Sequence, residues 1–405
     1  MIIEKIPEEF KRALPILNTL KDAGYEAYFV GGSVRDTLLG LPIHDVDIAT
    51  SAYPEEVKQI FNKTVDTGIE HGTVMVLDHG EGYEITTFRT ESTYQDYRRP
   101  EKVEFVRSLQ EDLKRRDLTI NALAMDAAGE IIDLFDGLTD LKMKVIRAVG
   151  DPNERFNEDA LRMMRAVRFG SQLDFKMDSE TFMAIKKNAH LLEKIAIERI
   201  HVEWVKLLLG KNPNQGIKEF LETNLYKYSP KFENKLSELK DIATMSHLII
   251  PDEYVAWTFI SYKLGYVTSN ESGKLMKEWK LSNELIKHVQ TALKCVEKIK
   301  RQNLQIDDYY QAGLSPLKTA NIVAKLLGFG IDDALLESQY NALPIKDKAE
   351  LKINGGILIK KLNIKPGPQL GKILKELEKE VVQGNLKNNE GNLIKKAQDL
   401  VSTDN

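Results

Sequence analysis

Apolar residues recur at three- and four-residue spacing over Glu8–Ala23, which predicts an amphipathic helix with Pro15 as a kink or break in it. Glu26–Val30 is a short apolar run that ends in Gly31-Gly32 and reads as a strand. Val34–Leu39 reads as a short helix closed by Gly40. Asp45–Ala49 alternates acidic and apolar residues, the period of a strand. Thr73–Leu77 and Tyr83–Arg89 are rich in β-branched and aromatic residues, with His79-Gly80 and Gly82 between them, and predict a hairpin. Near Gly150 the pattern changes. Asp151-Pro152-Asn153 is a turn signal, and helical periodicity then runs to the end, interrupted over Gly210–Gly216 and Gln302–Pro316. The expected fold class is α+β: a mixed sheet with helices at the N-terminus, then a long all-helical remainder.

At ~150 residues per domain, 405 residues make two to four domains. With 42% hydrophobic and 29% charged residues the chain is of ordinary globular type. A net charge of -4 argues against a wholly basic nucleic-acid binder but leaves room for a local basic surface. From Leu351 onward there are 10 lysines against 6 acidic residues. Solvated helix faces often carry such an excess. Cys295 is the single cysteine, which excludes an intrachain disulfide and a multi-cysteine zinc site and fits a reducing cytoplasm. Met1–Arg12 has no apolar signal region, and no apolar run is long enough to span a bilayer. A cytoplasmic protein with no membrane partner is expected.

The chemistry concentrates in Gly31-Gly32-Ser33-Val34-Arg35-Asp36, followed by Asp45-Val46-Asp47. A strand that runs through two glycines into a helix suits a phosphate. Backbone without Cβ approaches closely, and the helix N-terminus supplies N–H groups and a positive dipole end. Gly32 and Arg35 are the candidate phosphate contacts, Arg35 as a bidentate donor. Most Gly-Gly pairs are only turns. On a strand, however, Asp45 and Asp47 at i and i+2 share a face. Two adjacent carboxylates repel unless cations neutralise them, and magnesium prefers oxygen ligands. Asp45 and Asp47 are therefore the candidate catalytic and metal-binding residues, with two Mg2+ ions over a phosphoryl group. The alternative is an acidic edge strand facing solvent, which the adjacent phosphate cradle disfavours.

The run Gly31-Gly32-x-Val34-Arg35-Asp36-x-Leu38-Leu39-Gly40 with Asp45-x-Asp47 resembles the class II nucleotidyltransferases. These are the bacterial CCA-adding enzymes and the related bacterial poly(A) polymerases, whose head resembles the catalytic domain of DNA polymerase β. Glu111-Asp112-Leu113-Lys114-Arg115-Arg116-Asp117, continuing through Ala124, is similar to the family's second motif. The resemblance implies nucleotide contact by Arg116 and a ribose contact by Asp117. Without it, these residues would read as a helix N-terminus with surface salt bridges. Glu84 stands where polymerase β-like sites draw a third acid, and it reads equally as a strand-edge surface residue.

A third segment, Glu158–Phe169, places Asp159 and Arg162 at i and i+3 of a helix, with Arg165 and Arg168 continuing that side. The plain alternative is an exposed salt bridge with extra arginines. Cytosine and adenine both present an amino donor beside a ring-nitrogen acceptor, whereas uracil and guanine present the reverse. A carboxylate beside a guanidinium matches the first order. The resemblance assigns this base-reading role to Asp159 and Arg162, with Arg165 and Arg168 supporting them and reaching the phosphates. The family attributes the change from C to A addition to movement of the growing RNA end and a head loop. Thr90–Val103 is the candidate loop here. It has Arg99 where many members carry histidine, and relatives that add only C residues lack most of it. Lys365–Lys372 is similar to tail segments that grip the tRNA elbow. His44 and His71 have no partner at metal-ligand spacing.

The resemblance implies a catalytic head (1–150), a helical neck with base recognition (151–210), a helical body (211–315) and a tRNA-binding helical tail (316–405). The implied activity is template-independent addition of C, C and A to the tRNA 3′ end from CTP and ATP, releasing pyrophosphate. A homodimer is left open. The rivals are a bacterial poly(A) polymerase and a non-catalytic RNA- or nucleotide-binding protein on the same fold.

Overall fold

The computed structural model describes residues 1–91, 94–95, 99–100 and 103–403, and the chain has the expected α+β class. Seven strands form the sheet of the N-terminal region: β1 (Ala27–Val30), β2 (Asp47–Thr50), β3 (Thr64–Gly68), β4 (Thr73–Asp78), β5 (Glu81–Thr87), β6 (Leu123–Met125) and β7 (Ile131–Asp133). Their order is β7-β6-β1-β2-β5-β4-β3. The predicted hairpin is β4–β5, joined at His79 and Gly80. Both turn residues have positive φ, 47° and 85°, the backbone a two-residue hairpin demands. Val74, Val76, Tyr83 and Ile85 point into the core.

β2 lies antiparallel to β1 and parallel to β5, with Val30 opposite Asp47 and Ile48 opposite Ile85. The strand expected from Asp45 begins instead at Asp47. β1 ends at Val30, so residues 44–46 have no partner strand on that side. The helix expected to kink or break at Pro15 runs unbroken from Glu8 to Asp22. Its buried face (Phe10, Ala13, Ile16, Leu17, Leu20) holds it to the sheet across the missing N–H, with the Phe10 and Phe29 rings 4.8 Å apart. Val30, Ala49, Phe88, Leu109, Leu113 and Ala124 form the core beneath the site.

Beyond Gly150 the regular structure is almost entirely helical. The Leu161–Leu173 helix is buried along Met163, Met164, Ala166 and Val167. It packs on the Ile197–Leu208 and Pro213–Glu222 helices so closely that a Cβ on Gly216 would stand 2.6 Å from the Ser171 Cβ.

The chain divides into two compact units, Met1–Ser246 and His247–Asn405. Among the described residues of the second, the regular structure is helical throughout. Its C-terminal part has a core of its own that includes Leu358, Leu377, Val381, Leu393 and Ala397. Cys295 is buried in the Asn283–Lys300 helix, and burial pushes its thiol up to about 12. Among the described residues no helix is long and apolar enough to cross a membrane.

Candidate active site

β1 leaves the sheet through Gly31, whose φ of 73° and ψ of -133° suit only glycine, and enters the Gly32–Leu39 helix. A Cβ on Gly31 would stand 3.0 Å from the Arg116 Nη1. The bare backbone thus lets an arginine lie against the turn. Gly31 and Gly32 line a cavity of about 510 Å³, together with seven arginines and three aspartates. The lining is rich in guanidinium, a donor suited to anions, and each of these arginines is also paired with an acid.

Arg35 lines this cavity but does not offer it a bidentate edge. Its Nε and Nη2 donate to the two Asp36 oxygens at 2.8 and 2.9 Å, and Nη1 donates to Asn121 Oδ1 at 2.6 Å. The expected fork is spent on holding the side chain in place. Arg116 is freer. Its Nη2 donates to Asp112 at 3.2 Å and its Nη1 to the Asn121 carbonyl at 3.4 Å, while the buried Nε has no protein partner.

Asp117 is buried rather than presented to a sugar. Its Oδ1 accepts from the Leu118 N–H (2.8 Å) and Asn121 (3.1 Å), and its Oδ2 accepts from Arg165 Nε (2.7 Å). Burial alone would raise this carboxyl, but Arg165 and the Asn121 hydrogen bond hold it far below the usual carboxylate range.

Asp45, Asp47 and Glu84 border one cavity of about 380 Å³, and Asp47 also lines the arginine-rich cavity. Glu84 is carried there by the β2–β5 pairing, one residue before the Ile48–Ile85 register. Asp47 is partly open to solvent, yet its carboxyl sits above its ordinary value. Surrounding protein withdraws it from bulk water, the Glu84 and Asp45 charges add to that, and Arg116 opposes. These carboxylates offer oxygen donors and a negative field, the donor chemistry a hard divalent cation takes. Among the described residues no group of three or more His, Cys, Asp or Glu forms a ready-made metal cage.

Asp159 and Arg162 both line the larger cavity, but they are not an i, i+3 pair on one helix. One helix ends at Glu158, Asp159 caps it in extended backbone, and the next helix begins at Leu161. Asp159 accepts from the Leu161 N–H at 3.0 Å and is gripped by Arg199, at 2.7 Å through Nη2 and 3.4 Å through Nη1. Arg162 pairs instead with Glu158 at 2.5 Å and donates to the Arg115 carbonyl at 3.0 Å. The break between the helices turns Asp159 away from the bland intrahelical salt bridge.

Arg165 reaches Asp117, which raises its pKa further, and Arg168 donates to Glu203 at 2.9 Å. Burial brings Arg168 down to about 10 against the pull of Glu203. The sequence reading missed Arg199, Asn121, Glu203 and the ring of Phe169. Arg199 lies 40 positions from Asp159, so no local spacing announces it. The side chains of the Thr90–Val103 loop from 91 to 103, Arg99 among them, lie outside the described residues.

A protein of Ligilactobacillus salivarius named CCA-adding enzyme is 66% identical over 403 residues, spanning 99% of each chain. The chain belongs to the CCA-adding enzyme family. Its Limosilactobacillus reuteri relative of that name is 54% identical over 400 residues, again 99% of each chain. The crystal structure of the Bacillus stearothermophilus CCA-adding enzyme in complex with CTP is 38% identical, covers 98% of this chain and 99% of its own, and superposes with a TM-score of 0.88. The Thermotoga maritima CCA-adding enzyme complexed with tRNA shares the fold at 23% identity and a TM-score of 0.62, over 99% and 97% of the two chains. Three family models also match. They are the Poly A polymerase head domain over residues 27–147, the probable RNA and SrmB-binding site of polymerase A over 174–236, and a putative tRNA nucleotidyltransferase domain 2 over 249–397. The expected CCA-adding enzyme family and the α+β fold are both borne out.

Proposed function

We propose that this chain adds C, C and A to the 3′ end of tRNA from CTP and ATP without a nucleic-acid template. The observation that carries the reading is the meeting of the Asp45–Asp47 carboxylates with the arginine-rich cavity at Asp47, which borders both. A triphosphate needs a cationic cradle on one side and acidic oxygens at its reacting phosphorus on the other.

The residues take roles in that frame. Gly31 and Gly32 let the triphosphate approach the backbone, and Arg116 and Arg165 offer it cations. Arg35 fixes the cradle through Asp36 and Asn121 more than it reaches out. Asp159 accepts from the amino group of cytosine or adenine, Arg162 donates to the ring nitrogen beside it, and Arg199 orients Asp159. Arg168, stacked and ion-paired, braces the neck helix. Asp45 and Asp47, with Glu84 beside them, would hold Mg2+. That cation, when bound, supplies charge neutralisation at the phosphates and lowers the pKa of the attacking hydroxyl. Its remaining ligands would be substrate phosphates and water, as magnesium usually takes. The protein's own contribution is positioning the tRNA hydroxyl and the α-phosphate in line and pre-setting the field around them. The four-part division with edges at 150, 210 and 315 remains part of this proposal. The head and neck fall within Met1–Ser246 and the tail within His247–Asn405.

The test is incorporation of each labelled nucleoside triphosphate into tRNA lacking its CCA end, with magnesium. Two C additions, one A and a stop are expected. Long A tails would make the chain a poly(A) polymerase, and no incorporation would leave a nucleotide-binding protein. Asp47→Ala should cut transfer by on the order of 10³-fold or more while thermal melting stays unchanged. Normal turnover by that variant would remove the carboxylates from the mechanism.

A further inference from the structure

Phe169 has no hydrogen-bonding group and lies 4% exposed in the Leu161–Leu173 helix, yet it lines the arginine-rich cavity. Its ring is met by three guanidinium groups. Arg168 stands 3.5 Å from the ring centroid, Arg35 4.8 Å and Arg165 5.6 Å. All three lie within the distance at which a cation is drawn to an aromatic ring. We infer that Phe169 is a positioning residue for the nucleotide: its ring draws these arginines together and so fixes Arg165, the one of the three offered to the triphosphate, at the cavity. This rests on the reading that the cavity binds the triphosphate.

The wiring around the ring explains why an aromatic residue is needed there. Three like charges repel one another, and each has a carboxylate of its own: Asp36 for Arg35, Asp117 for Arg165 and Glu203 for Arg168. Those acids sit on different elements and pull the three cations apart. The contacts also close into a circuit. Arg35 donates to Asn121, Asn121 donates to Asp117, and Arg165 bridges Asp117 (2.7 Å) and Glu203 (3.8 Å). Arg168 joins Glu203 to the Phe169 ring, and the ring returns to Arg35. Phe169 is thus the second link, beside the Asn121–Asp117 chain, between the phosphate-cradle helix and the base-reading helix at the cavity. An aliphatic side chain would fill the volume but would offer no negative face to the converging cations. The guanidinium groups would keep their carboxylates but lose the shared ring face that gathers them.

The test replaces Phe169 in the full-length enzyme with mono-, di- and trifluorophenylalanine, which withdraw electron density from the ring face while nearly preserving its shape. KM for CTP and for ATP is measured on tRNA lacking its CCA end, with Phe169→Leu and Arg165→Lys alongside. KM should rise stepwise with each fluorine, reaching roughly 3- to 30-fold for the trifluoro ring, with kcat and the melting temperature nearly constant. A flat series with a raised KM for Phe169→Leu would reduce Phe169 to packing and overturn the inference. A flat series with a raised KM for Arg165→Lys would overturn it too, leaving the triphosphate reading intact. An unchanged KM in Arg165→Lys as well would sink both.

Discussion

The Asp159 carboxylate, the proposed base reader, is held in place by a residue far away in the chain. It is oriented by a two-point grip from Arg199, and a lysine at that position would keep the charge but lose the fork. Arg199→Lys should therefore lower the preference for CTP over UTP about tenfold, the worth of one charge-assisted hydrogen bond. Single-turnover incorporation of both nucleotides measures the ratio, and an unchanged ratio with slower transfer would make Arg199 a structural residue only. Glu219 poses a different test. It is buried against Gly170 of the arginine-bearing helix, and burial lifts its carboxyl to about 7 from 4.5. The folded protein therefore holds a proton there that the unfolded chain has lost. Stability should fall between pH 4.5 and 7 and level off above, a change on the order of 3 kcal/mol. Glu219→Gln should flatten that slope in urea melts between pH 5 and 8, and a slope unaltered by the substitution would place the titration elsewhere. Asp45, Asp47, Arg35, Arg116, Arg162, Arg165 and Arg168 could be named as candidates from the sequence because each belongs to a short motif, and all but Asp45 line the arginine-rich cavity. Arg199 and Glu203 were not, because their partners are distant in the chain and meet only in the packed neck, and Asn121 was not, because its Arg35 contact spans 86 positions of the head.

Elements with a local cause were read correctly and those with a distant cause were not. The β4–β5 hairpin follows from two residues able to adopt positive φ between alternating runs, so sequence alone was sufficient. The start of β2 depends on where β1 ends, and a local pattern over Asp45–Ala49 carries no record of that. The helix break at Asp159 was likewise hidden, because no glycine or proline marks it. The Gly31 turn is the element on which the cradle depends. Its φ of 73° is strained for any L side chain, and a Cβ there would crowd Arg116. Gly31→Ala should cost about 1–3 kcal/mol in urea unfolding and raise KM for both nucleotides, because the displaced guanidinium faces the same cavity. A stable variant with normal KM would mean that the turn tolerates a Cβ and that Arg116 is not set by it.

For the whole molecule, the question is how a chain of net charge -4 holds a polyanion. The arginine-rich cavity belongs to Met1–Ser246, whereas the lysine excess from Leu351 onward lies in His247–Asn405. The proposed nucleotide site and this lysine excess therefore lie in separate compact units. The basic C-terminal segment also begins a helix at Pro368 after Gly367, an arrangement suited to backbone phosphates. Phosphate contacts release counterions, so the salt dependence of tRNA binding counts them. A fragment spanning Met1–Ser246, which contains the whole sheet, should bind CTP as the full chain does. Its tRNA affinity should fall, and the slope of log affinity against log salt should become shallower by about 0.9 for each lost duplex phosphate contact. Filter binding of tRNA across a salt series, with CTP titrated by calorimetry, measures both quantities. If the fragment keeps the full-length salt slope, the tRNA-binding surface lies on the catalytic unit and the tail's lysines are solvated faces. If CTP binding also fails in a folded fragment, the nucleotide site depends on the second unit.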